Sequence, residues 1–150
     1  MIVEARPILL VEDDRKDAEL ALAAFAEGKI SNGVIVVHDG VEALDYLFRR
    51  GKYAARTEGA PVVVFLDLKL PKVDGIQVLQ TLKADPVLKS IPVVMLTSSR
   101  EESDVIRSYN LGVNAYVVKP VDFHEFSSAI KELGLFWTVV NHPPRISAPA

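Results

Sequence analysis

The chain has no cysteine, which excludes a disulfide framework, a thiolate metal site and thiol catalysis. It also has no apolar run near the roughly 18 residues that a membrane-spanning helix needs. Met1 to Pro7 carries Glu4 and Arg6 and has no apolar core of signal-peptide length, so a cytoplasmic protein is expected. A large excess of basic charge is missing too. The formal net charge is −3, which gives no support to general nucleic-acid binding. Arg49, Arg50, Lys52 and Arg56 do cluster, but Tyr53 is the only aromatic among them, and the segment reads as a solvated loop. Solenoid-type repeats are absent. His38, His124 and His142 lack ligand spacing and read as helix surface and tail.

What is present is ordinary in bulk and distinctive in order. The composition, 49% apolar and 25% charged over 150 residues, suits one globular domain with a full core. Five short apolar runs, Ile8–Val11, Val34–Val37, Val62–Leu66, Val93–Leu96 and Ala115–Val118, alternate with segments of helical period. Continuous rather than alternating apolar strands imply burial on both faces, as in a parallel sheet covered by helices. Helix faces are expected at Ala18, Ala21, Leu22 and Phe25, then Val41, Leu44, Leu47 and Phe48, then Ile76, Leu79 and Leu82, and last Phe123, Phe126, Ile130 and Leu133. Asp14, with Asp17 three residues on, reads as an N-cap with an acidic first turn. Gly28 follows that first helix, and Pro86 stops the third. Right-handed crossovers then give a doubly wound α/β sandwich. Gly51 to Pro61 is a longer connection than usual, and Pro143, Pro144 and Pro149 point to a loose tail.

The strands end in chemistry. Ile8–Val11 stops at Glu12-Asp13-Asp14, Val62–Leu66 at Asp67, Val93–Leu96 at Thr97-Ser98, and Ala115–Val118 at Lys119-Pro120. In a parallel sheet these endings share the edge where open α/β folds bind ligands. An acid pair for a divalent cation, a carboxylate nucleophile, a hydroxyl and an ammonium are the parts of a phosphoryl-transfer site.

At this point the sequence resembles the receiver domains of two-component response regulators. The resemblance covers Pro7 to about Phe136. It rests on Leu10-Val-Glu-Asp13, Leu66-Asp-Leu-Lys-Leu-Pro-Lys-Val-Asp-Gly75, Leu96-Thr-Ser98 and Val118-Lys-Pro120, all in this order. Leu44-Asp-Tyr-Leu-Phe48, Gly51-Lys-Tyr53, Ser108-Tyr-Asn-Leu-Gly112, Leu135-Phe-Trp137 and Asn141-His-Pro-Pro144 are similar to stand-alone regulators paired with phytochrome-like sensor histidine kinases.

The resemblance implies a flavodoxin-like (βα)5 sandwich with strand order 2-1-3-4-5. Residues 1–136 would be the receiver and 137–150 a C-terminal extension. It implies Asp67 as phosphoacceptor, and Mg²⁺ (or Mn²⁺) held by Asp13, Glu12, Asp67 and the Lys69 carbonyl. Thr97 and Lys119 would bind phosphoryl oxygens, and Tyr116 would be the aromatic that turns with Thr97. Asp14 is left to capping. The Lys119–Pro120 bond is expected to be cis. The partners implied are a sensor histidine kinase and a second copy of the chain, joined through the last helix and Phe136 to Val140; no nucleic acid or membrane is expected.

Three other functions compete with this one. An aspartyl-phosphate phosphatase would need an acid two residues past its nucleophile, and Lys69 stands there. A receiver without chemistry would have lost one of Asp13, Asp67, Thr97 or Lys119, and all are present. A phosphorelay intermediate passing its phosphoryl group to a histidine phosphotransfer protein stays open. Apart from its own phosphorylation and dephosphorylation, no enzymatic activity is expected, and too little chain follows Phe136 for a DNA-binding domain.

Overall fold

A computed structural model describes residues 6–30, 32–119 and 123–140, and of Phe123, Phe126, Ser127, Val139 and Val140 the backbone alone. Five strands alternate with five helices. In chain order they are β1 Ile8–Val11, α1 Arg15–Glu27, β2 Val34–Val37, α2 Gly40–Phe48, β3 Val63–Leu66, α3 Gly75–Ala84, β4 Val93–Thr97, α4 Glu102–Asn110, β5 Ala115–Val118 and α5 Phe123–Leu135. All pairings are parallel and the sheet order is 2-1-3-4-5, as expected. Central strands β1, β3 and β4 are buried along their whole length, whereas the edge strands β2 and β5 are only partly covered.

The pleat divides the core in two. Leu9, Val11, Val64, Leu66, Val93 and Met95 face α2 and α3. Ile8, Leu10, Val63, Phe65, Val94 and Leu96 face α1 and α5, where Phe25 packs against Phe65 at 5.3 Å between ring centres. Asp14 caps α1 by accepting the Asp17 N–H, and Asp85, ahead of Pro86, is extended and ends α3.

Two helix faces differ from expectation. Leu22 and Val41 are exposed, and the inward places fall to Ala24 on α1 and to Ala43 and Tyr46 on α2. The buried stripe is thus rotated toward alanine on α1 and toward Ala43 and Tyr46 on α2. Ile130 is buried and Leu133 packs beside it, while Phe123 and Phe126 lie outside the described side chains.

The basic cluster after α2 is more ordered than a solvated loop. Lys52 and Arg50 are exposed and pair with Glu42 and Asp45. Arg49 and Arg56 turn inward and donate to the carbonyls of Tyr46, Arg56, Glu58 and Gly59. Arg56 also lies 4.2 Å above the Tyr46 ring. These bonds satisfy the backbone of a long connection that has no sheet to pair with. After α5 the chain makes one π-helical turn, Phe136–Val140. Phe136 is 45% exposed, whereas Trp137 is half-buried against the α1/α5 face of the core.

Candidate functional site

The carboxyl ends of β1, β3, β4 and β5 converge because each is tied to its neighbour just where its polar residue begins. Glu12 N–H donates to Val37 O at 3.0 Å, Asp67 N–H to Val11 O at 3.1 Å, and Lys119 N–H to Thr97 O at 2.7 Å. Carboxylate oxygens of Glu12, Asp13 and Asp67 lie within 4.8 Å of one another. Glu12 and Asp67 are buried and Asp13 is exposed.

The Lys119 ammonium reaches into this group. Its Nζ donates to Glu12 Oε1 at 2.5 Å, to Asp17 Oδ2 at 2.8 Å and to Asp67 Oδ2 at 2.9 Å, with its side chain only 11% exposed. Burial alone would lower the Lys119 pKa, but its bonds to Asp17, Asp67 and Glu12 outweigh that and hold it above its ordinary value. Burial, followed by the neighbouring Asp67 carboxylate, pushes the Glu12 carboxyl up to about 8 against the pull of Lys119. One cation among four acids leaves negative charge in excess, and Glu12, the least exposed, takes up a proton most readily.

This donor set fits a hard divalent cation. Carboxylate oxygens converge, one of them on the solvent side, and the excess negative charge is of the kind such an ion removes. Asp17 is the acid that sequence reasoning placed elsewhere, as a first-turn charge on α1. It serves the helix and also reaches a lysine 102 residues away in sequence. The sequence offered no signal for this, because a first-turn aspartate looks the same whether or not a distant cation meets it.

Thr97 is fully buried at the end of β4, and its Oγ1 accepts the Ser99 N–H at 3.2 Å. That leaves the hydroxyl proton able to be donated. Ser99 links three elements. Besides this bond, its carbonyl accepts the Tyr116 hydroxyl at 3.0 Å, and its own hydroxyl donates to Asp104 Oδ2 at 2.6 Å. Tyr116 is thus half-buried on the α2/α3 side of the sheet with its phenol on the β4–α4 loop. Lys69 N–H donates to Asp67 Oδ1 at 3.2 Å while its side chain is exposed. Pro120, and with it the expected cis bond, lies outside the described residues.

A model of the response regulator receiver domain family matches residues 8–131. The chain belongs to this family. Its receiver fold accepts a phosphoryl group and relays the signal by conformational change, and a receiver of this kind has a histidine kinase as its partner. It is 39% identical over 130 residues to response regulator Rcp1 of Synechocystis sp., covering 87% of each chain. Among solved structures, the receiver resembles the phosphorylated cyanobacterial phytochrome response regulator RcpA, with a TM-score of 0.87 and 39% identity over 93% of this chain and 99% of that one. It also resembles bacteriophytochrome response regulator RtBRR, at 63% identity and a TM-score of 0.76, over 93% of this chain and 84% of that one. The Mn²⁺-bound form of Rcp1 is a further match, at 37% identity and a TM-score of 0.87, over 93% and 99%. Among the described residues, no helix of this receiver is long and apolar enough to cross a membrane.

Proposed function

We propose that Asp67 is the phosphoacceptor of this receiver, that its kinase is of the phytochrome type, and that Mg²⁺ is the working cation. The observation that carries the site assignment is the convergence on Asp67. One of its oxygens is 2.9 Å from Lys119 Nζ, and its carboxylate shares a 4.8 Å cluster with Glu12 and Asp13. Asp13 would hold Mg²⁺ directly, with Asp67 and the Lys69 carbonyl, and Glu12 would act through water. When bound, the ion supplies positive charge to the transferring phosphoryl oxygens.

The remaining work falls to the chain. Phosphoryl transfer demands alignment and charge neutralisation more than covalent assistance. The Lys69 N–H fixes one Asp67 oxygen and so aims the carboxylate. Lys119 begins paired with Asp67 and neutralises charge on a phosphoryl oxygen as the acyl phosphate forms. Thr97, with its acceptor side already filled by Ser99, donates its proton to a second oxygen. That pull on the β4–α4 loop bears on the Ser99 carbonyl, where Tyr116 is attached, and so carries the signal to α4 and β5. Outside this cycle no enzymatic activity is assigned, and the setting is taken to be the cytoplasm.

The phytochrome-type partner rests on what the relatives are named, together with their coverage of the chain. We take the receiver as residues 1–136 and residues 137–150 as its extension, anchored by the half-buried Trp137. A homodimer through α5 and Phe136 to Val140 is supported by the exposed Phe136 ring, which stacks edge-on with Trp137 at 5.0 Å. Incubation with an autophosphorylated phytochrome-type histidine kinase tests the reading. Label should pass to the wild type in Mg²⁺ and neither to Asp67→Asn nor in EDTA. Equal transfer to both proteins would overturn the site, and transfer only from kinases of other classes would overturn the partner.

A further inference from the structure

The segment between Asp67 and α3 supplies Lys69, and it closes on two glycines. Gly75 begins α3. A Cβ there would lie 2.1 Å from the Asp67 carbonyl oxygen, and its N–H donates to Leu68 O at 2.7 Å. The other glycine comes from a different part of the chain. Gly40 is the buried first residue of α2, and a Cβ there would lie 1.8 Å from Val73 O, 2.6 Å from the Val73 carbonyl carbon and 2.7 Å from Val73 Cβ. Gly40 N–H also donates, at 3.4 Å, to Pro71 O. Between these contacts Lys72 is in the left-handed region (φ 68°), so the loop has little freedom to adjust there. The Lys72–Asp39 ion pair at 3.3 Å has a lysine 66% exposed and contributes little, so the steric fit at Gly40 dominates.

We infer that Gly40 is a positioning residue for phosphorylation: its lack of a side chain lets the 68–74 loop seat on α2 and so fixes Asp67 and the Lys69 backbone. The inference rests on the reading of Asp67 as acceptor. A methyl group at position 40 meets backbone, which cannot rotate away, and close-packed interiors transmit such strain. The loop cannot swing freely outward. Asp74 and Gln77 hold its far end in a reciprocal capping box, and Gly75 holds Leu68. Nor can α2 tilt without cost, since Ala43, Leu44 and Leu47, on the same face as Gly40, are buried in the core. The displacement therefore runs back through Pro71 to Lys69, whose N–H orients Asp67.

Gly40→Ala tests this with three readouts: Mn²⁺ binding to the metal-free protein by calorimetry, amide exchange of residues 69–74 in EDTA, and phosphorylation rate per folded molecule. A misplacement of about 1 Å can cost about a hundredfold in rate, and attenuation along the loop leaves about tenfold expected here. Mn²⁺ should bind several-fold more weakly, and exchange at 69–74 should quicken. A glycine with a purely structural role would lower the melting temperature and leave Mn²⁺ affinity and per-molecule rate at wild-type values, and that result overturns the inference. If Gly40→Ala does not fold, Pro71→Gly decides. It keeps the carbonyl that Gly40 N–H bonds but gives slack to the backbone linking the Gly40 contact to Lys69, so weakened Mn²⁺ binding supports the inference and wild-type binding overturns it. Asp67→Asn runs alongside. If Asp67→Asn is phosphorylated normally, the acceptor assignment fails; if it is inert while Gly40→Ala matches wild type, only the role of Gly40 fails.

Discussion

Replacing Lys119 with methionine removes the ammonium that Glu12, Asp17 and Asp67 share, while keeping most of the volume of its stem. Glu12 and Asp67 have side chains only 2% and 10% exposed, so water cannot take over the lost charge there. Removing one member of a buried ion pair generally costs 3–5 kcal/mol, because the partner is left uncompensated. Two features of this cluster put the expected loss at the lower end, about 3 kcal/mol. Asp17 is 32% exposed and can turn to solvent, and Glu12 can take a proton.

The proton gives the prediction a sign. Lys119 is the group that pulls the Glu12 carboxyl down, so its removal raises that carboxyl beyond about 8. A carboxyl raised in the folded state supports folding below its unfolded value and loses that support as pH rises. Below about pH 8 Glu12 is protonated in both folded proteins, so the deficit of Lys119→Met, in EDTA, should be nearly level at neutral pH and grow above about pH 8. At pH 7 a loss of about 3 kcal/mol corresponds to a melting temperature lower by about 6–12 °C for a chain of this size. Mg²⁺ should restore more stability to the variant than to the wild type, since it supplies the missing charge. Thermal unfolding from about pH 6 to about pH 10, with and without Mg²⁺, is the assay. A deficit that does not change with pH, or a variant as stable as wild type at pH 7, would refute the electrostatic reasoning.

The lifetime of the acyl phosphate should respond to Lys69 more than to Ser99. Lys69 is exposed beside Asp67, whereas the Ser99 hydroxyl is committed to Asp104. Lys69→Asn should shorten the phosphoryl half-life measured by radiolabel decay, and an unchanged or longer half-life counts against a shielding role. Sedimentation at micromolar concentration should show a dimer that Phe136→Asp dissociates without loss of monomer stability. Trp137→Ala should lower stability by about 1–3 kcal/mol, since half of a large ring is buried. A monomeric wild type, with or without phosphate, removes the dimer.

The architecture was legible because strand and helix periods alternate cleanly and each strand end carries a polar residue. Parallel pairing then leaves little choice about which residues meet. Asp14 and Pro86 acted locally, and local chemistry is what a sequence displays. The misses are non-local. Leu22 and Val41 occupy helical positions compatible with burial, but the way each helix is rotated on the sheet gives the inward places to Ala24, Ala43 and Tyr46. Asp17 and Lys119 are joined only by the fold. The inward turn of Arg49 and Arg56 answers unpaired carbonyls of the connection they sit in, which composition does not reveal. Trp137, within the segment expected to join two copies, packs on the α1/α5 face, and Phe136 is exposed beside it.

The central claim is that one phosphoryl group is accepted on Asp67 in a cation-dependent reaction. Intact mass after incubation with Mg²⁺ and a small acyl phosphate donor tests it most directly. The wild type should gain a single phosphoryl group, lose it at alkaline pH, and gain none in EDTA, while Asp67→Asn, folded by circular dichroism, should gain none in any condition. A phosphoryl group acquired by Asp67→Asn at the wild-type rate would contradict the account.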